Sequence, residues 1–186
     1  MEESLAGFER HLVERDGLAG QRLRSGLVDA EIDRLSASLP FGLPDELRCL
    51  YRWHDGAFEL DERGEGGFPR VGVLYSLSQA MREYARWTTM PTTDETYDPA
   101  WIPVSGAGGR LLVADSGALP GHASPIHHID IDESVEWDLI RAPSLVYMIN
   151  VWDQMIYDGH WVCDAETGLW RDGSETPEHL SRTLLV

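Results

Sequence analysis

The chain has 186 residues, enough for one ordinary domain with a real core. Hydrophobic residues make up 42% and charged residues 25%, a globular rather than a disordered composition. The net charge is −17, from 32 acidic residues against 15 basic ones, and a field of that sign repels phosphate backbones and argues against a nucleic-acid partner.

Every basic residue is Arg, and the absence of Lys removes the P-loop lysine and all Schiff-base chemistry. No run approaches the ~18 apolar residues that span a bilayer, so no membrane partner is expected. The N-terminal "MEESLAGFERHLVERDG" is acidic and amphipathic, without the basic start and apolar core of a signal peptide. Cys49 and Cys163 share no metal-type spacing and read as reduced core residues. Together these features predict a cytoplasmic protein.

In chain order, Leu5, Phe8 and Leu12 space out one face of a first helix that Gly17 ends. "LAGQRLRSG" is expected to be a loop or short helical linker. Asp29 is placed to cap a second helix with Ile32, Leu35 and Leu39 as its buried stripe. Pro44 opens a third helix, with Asp45 and Glu46 at its positive end and Leu47, Leu50 and Tyr51 facing inward. In "WHDG" a His–Asp pair invites a general-base reading. Adjacent helical residues diverge by about 100°, so the spacing favours a helix end, with His54 at the negative terminus and Gly56 as a left-handed cap.

"DERGEGG" should be an exposed loop and "RVGVLYS" a strand. Ser76 or Ser78 starts a helix carrying Met81, Tyr84 and Trp87. From Trp101 the pattern turns to strands: "WIPVS", a "GAGG" turn, "RLLVAD", "SPIHHIDI" and "SVEWDLI". A long helix is predicted from about Pro143 to Tyr157, with Leu145, Met148, Ile149 and Trp152 on one face. "HWVCD" and "GLWRD" suggest a closing hairpin, and "PEHLSRTLL" a final short helix. That order predicts an α+β single domain. Its mostly antiparallel sheet would have about five or six strands, packed with N-terminal helices and one long helix after the strands.

"SPIHHIDID" holds the densest cluster of ligand-type side chains. Strand parity puts Ile126, His128, Asp130 and Asp132 on one face and His127, Ile129 and Ile131 on the other. The adjacent histidines therefore cannot share one ion. The one coherent metal set is His128, Asp130 and Asp132, whose neighbours stand about 6.5 Å apart along the strand, wide for one small cation. Simple alternation accounts for the pattern: Ile129 and Ile131 inward, with His128, Asp130 and Asp132 as an outward row. "GAGGRL" lacks the third Gly and following helix of a dinucleotide fingerprint and reads as a hairpin turn. No nucleophile elbow, H-E-x-x-H or C-x-x-C occurs. Of seven tryptophans, Trp161 and Trp170 stand on the last hairpin, where they either pack on the sheet or mark an interface.

Four blocks carry a family resemblance. They are "LPFGLPDELRCLYRWHDG", "LYSLSQAMREY", "WIPVSGAGGRLLVAD" and "APSLVYMINVW". Their order resembles the SUKH superfamily, the Smi/Knr-type domain. The resemblance divides the chain into a helix and linker at 1–25, a family core at 29–157 and a hairpin with a short helix at 158–186, all within one domain. It implies an α+β interaction domain without a family-wide catalytic set, needing no metal or cofactor. Bacterial members are mostly regarded as immunity proteins that neutralise polymorphic toxins; fungal members take part in signalling for cell-wall synthesis. The extra N-terminal helix and the Trp-rich C-terminal hairpin depart from the family pattern.

The expectation is therefore a non-enzymatic interaction domain, with a cognate toxin or other basic protein as partner. Its acidic docking surface would draw on Asp55, Asp61, Glu62 and Glu65, and on Asp130, Asp132 and Glu133, pairing with Arg or Lys of the partner. A regulatory or scaffold domain unrelated to toxins is the alternative, and a metal-binding enzyme built on His128, Asp130 and Asp132 a further one.

Overall fold

Leu5, Phe8 and Leu12 recur at helical spacing and all three are buried, which fixes helix α1, Glu2–Arg15. The computed structural model describes residues 1–15, 22–58, 73–89, 97–107, 110–117, 123–130, 139–164 and 170–180. Helix α2 (Asp29–Ser36) buries Ile32, and helix α3 (Asp45–Trp53) buries Leu47, Leu50 and Tyr51. Each starts one residue off the expected cap. Val28 occupies the N-cap of α2 and donates its N–H to Glu31 Oε2 at 3.4 Å, while Pro44 occupies that of α3. Asp29 and Asp33 instead pair with Arg52 and Arg48 across the two helices.

Two expectations fall short on either side of α2 and α3. "LAGQRLRSG" is not only linker, because Leu23–Ser25 forms strand β1. "WHDG" is a helix end but not only that, because His54–Ala57 forms strand β2, antiparallel to β1. His54 itself is the C-cap, in extended geometry. Gly56 does have positive φ, +76°, but inside the strand. There a Cβ would lie 2.4 Å from Ser76 N and 2.7 Å from Leu74 O, so only glycine fits. Local capping logic missed this because the pairing partner lies some thirty residues upstream.

The main sheet holds β3 (Val73–Leu74), β4 (Trp101–Ala107), β5 (Arg110–Asp115), β6 (Ile126–Asp130) and β7 (Leu139–Ala142), in the order β3-β4-β5-β6-β7. Every neighbouring pair is antiparallel. Helix α4 (Leu77–Thr89) follows β3, and the Ser76 hydroxyl accepts the Gln79 N–H at 3.2 Å at its start. Helix α5 (Leu145–Tyr157) follows β7, with Ser144 capping Tyr147. A hairpin of β8 (Trp161–Cys163) and β9 (Trp170–Asp172) follows, and the described chain ends in a helical turn at 178–180. The expected α+β single domain with a mostly antiparallel sheet is the fold observed.

Helix α5 buries Leu145, Met148, Ile149, Val151, Trp152, Met155 and Ile156, too wide a set for one stripe. It is enclosed by α1, α3, β7 and β8. Phe8 of α1 sits between Trp53 and Trp152, with ring centroids 6.1 and 6.3 Å away. His11 Nδ1 donates to Asp153 Oδ1 at 2.6 Å and ties the same helices. Trp161 is buried and Trp170 packs half-buried against the core, so both serve packing.

Candidate functional site

The registers align one end of the main sheet. Val73 faces Gly106, Ala107 faces Arg110, Arg110 faces Asp130, and His128 faces Leu139. The chain therefore enters β3, turns from β4 to β5, leaves β6 and enters β7 all at that end. Segment 59–72 arrives there at Val73, and segment 131–138 bridges Asp130 to Leu139. Asp61, Glu62 and Glu65 belong to the first segment and Asp132 and Glu133 to the second, so all five lie outside the described residues. Asp130 ends β6, and its side chain also lies outside the description. Two acidic stretches far apart in sequence are thus rooted at one end of one sheet.

Asp55 has a different setting. Its Oδ1 accepts the Leu77 N–H at 2.7 Å, so this β2 carboxylate caps α4 from another element. Burial raises its pKa, the Leu77 hydrogen bond and Arg24 oppose that shift, Glu31 adds to it, and the net direction is up. Close by, Tyr51 is fully buried, and its hydroxyl has no hydrogen-bond partner among the described residues. Burial first, then the Asp55 charge, push this hydroxyl far above its ordinary range, so it stays protonated.

His54 and Asp55 form no dyad. They are strand neighbours and point apart. His54 Nδ1 donates to the Arg24 carbonyl at 2.6 Å, and its Nε2 lies 3.4 Å from Glu9 Oε1. Glu9 also accepts from Trp53 Nε1 at 2.9 Å, which ties α1 to the end of α3.

The outward row expected on "SPIHHIDID" needs correction at His128. Parity holds, with His127 opposite Val113 and His128 opposite Leu112. Yet Ile126, His127, His128 and Ile129 are all buried. Residues of both parities on β6 are buried, so both of its faces are covered and alternation exposes neither. His127 stacks on Trp101 at 5.0 Å, and its Nε2 lies 3.7 Å from Asp115 Oδ2. Among the described residues no group of three His, Cys, Asp or Glu could hold a metal ion.

Two further residues carry geometry that their local sequence did not announce. Glu46 Oε2 accepts the N–H groups of Ser124 and Leu145, both at 3.0 Å, and so caps α5 from α3. Phe58, the first residue past β2, is 48% exposed, and the Arg24 guanidinium lies 4.2 Å from its ring centroid. Its place directly before the Gly-rich acidic stretch was the available signal.

Antiparallel strands backed by helices define an α+β domain. The SMI1 / KNR4 family (SUKH-1) profile matches residues 26–150, and the chain belongs to that family. No curated protein matches the chain. Helix α1 and the β8–β9 hairpin fall outside the matched span. No described helix is long and apolar enough to cross a membrane.

Proposed function

We propose that this chain is a non-catalytic immunity protein that binds a cognate, basic toxin domain and occludes its active site. Family membership supports an interaction role. The carrying observation is the common root of segments 59–72 and 131–138 at one end of the sheet. The first segment has four carboxylates against two arginines; the second has four and no basic residue. Asp61, Glu62, Glu65, Asp130, Asp132 and Glu133 supply the docking carboxylates, pairing with Arg or Lys in the toxin's substrate groove. Asp55 already caps α4 and contributes its field more than a contact. The net charge of −17 steers a basic partner during approach.

The test uses the toxin domain encoded beside this gene. A stable complex and rescue of cells producing that toxin are expected. Association should slow as salt rises, because exposed charge pairs are screened beyond about 8 Å at physiological ionic strength. Changing Asp61, Glu62 and Glu65 together to Arg should abolish rescue while leaving the fold intact. No complex and no rescue would sink the reading and favour a regulatory domain unrelated to toxins.

A further inference from the structure

Five large apolar side chains are exposed among the described residues: Val13, Val28, Phe58, Tyr147 and Tyr157. Phe58 alone is joined directly to an acidic segment. Its backbone is held, since its N–H donates to the Arg22 carbonyl at 2.8 Å and extends the β1–β2 ribbon. That bond uses no side-chain atom, so a polar residue would serve the ribbon equally well. Half the ring is nonetheless left in water.

Strand β1 presents Arg24 to one side of this ring, and the Arg24 Nε–H reaches the Ala57 carbonyl at 3.5 Å. The Asp55 carboxylate lies near enough to Arg24 to feel its charge. The ring is thus held on a bonded backbone, with a guanidinium over one part of it. Rigid aromatic and Arg side chains of this kind dominate binding energy at protein interfaces.

We infer that Phe58 is the apolar anchor of the partner interface, receiving the aliphatic stem of a long basic side chain on a positively charged protein. The stem lies on the open part of the ring, and the charged head is left to this chain's carboxylates. Charge complementarity selects this occupant, because a chain of net −17 disfavours another acidic protein, a second copy of itself included. The inference rests on the immunity reading above, to which it adds a residue and a contact chemistry.

The experiment measures the dissociation constant of the neighbouring-gene toxin domain for wild type, Phe58→Ala and Tyr147→Ala. Tyr147 is the control, an aromatic of similar exposure on α5. Phe58→Ala should weaken binding at least tenfold while the melting temperature stays within a few degrees, and Tyr147→Ala should bind as wild type does. Binding by Phe58→Ala within twofold of wild type overturns the inference and leaves the immunity reading standing. Equal losses in the two variants overturn it too, since the anchor would then not be specific to the ribbon. If wild type does not bind the toxin domain, both fall.

Discussion

Glu46 on α3 holds the N-terminus of α5, accepting the Leu145 N–H at 3.0 Å across 99 positions of sequence. The same oxygen takes the Ser124 N–H, so one carboxylate joins a helix, a loop and a second helix. Two backbone donors near the positive end of α5 lose their acceptor when this side chain is shortened. Glu46→Ala is expected to cost about 1–2 kcal/mol, the scale of a lost cap with its helix-dipole contribution. Glu46→Gln keeps an acceptor oxygen without the charge and should lose less. Urea denaturation measures both; an unchanged midpoint for Glu46→Ala would refute the role.

Asp55 gives the fold a pH dependence whose sign follows from its setting. Its folded pKa lies above the ordinary 3.8, mainly through burial, so the folded chain holds this proton more tightly than the unfolded chain. Its contribution to stability therefore falls as pH rises from about the ordinary value through the folded one. Asp55→Asn keeps an oxygen for the Leu77 N–H and does not titrate. The stability of Asp55→Asn relative to wild type should grow with pH across that window and level off above it. Denaturation midpoints at a series of pH values from 3 to 7 report this, and a constant difference would contradict it.

Tyr51 tests the cost of a buried hydroxyl. No described group bonds it, so Tyr51→Phe removes a desolvated polar atom without breaking a bond. The variant should be as stable as wild type or more stable by up to about 1 kcal/mol. A loss above that size in chemical denaturation would mean that the hydroxyl has a partner such as an ordered water.

Helix α1 lies outside the family match, yet it is part of the core. Leu5, Phe8 and Leu12 are almost completely buried, and Phe8 contacts Trp53 and Trp152. Phe8→Ala should cost about 3–5 kcal/mol, the usual range for emptying a buried phenylalanine site. A chain begun at residue 26 should melt far lower than the full chain or not fold cooperatively. Thermal melts followed by tryptophan fluorescence distinguish these outcomes, because two indoles lose their packing partner. A 26–186 chain with unchanged melting would show α1 to be an appendage.

Much of the fold was legible because local periodicity and tertiary burial agree. The stripes of α1, α3 and α5 and the patterns that became β3, β4, β5 and β6 stand near where spacing puts them, while the described β7, Leu139–Ala142, overlaps only the end of the expected "SVEWDLI". What was not legible depends on partners distant in sequence. Strand β2 looked like a helix cap because its pairing with Leu23–Ser25 lies outside any local window. His128 looked exposed because alternation assumes one wet face, and β6 is buried on both. The remote caps from Glu46 and Asp55 have no spacing signature at all. Of the expected docking carboxylates, Asp55 has a structural partner, Asp130 ends β6, and the others lie on segments whose roots, rather than side chains, the fold defines.

Gly56 has one more consequence. Tyr75 N–H bonds Val104 O on β4, so the neighbouring Leu74 carbonyl points outward from β3, where Gly56 lies against it. The chain thus screens with its own ribbon the flank where an extra strand from another molecule would otherwise add. A partner, or an aggregating copy, that recruited β3 would first have to peel β2 away. Complex formation on this flank should proceed through side chains presented by an intact ribbon, not by growth of the sheet.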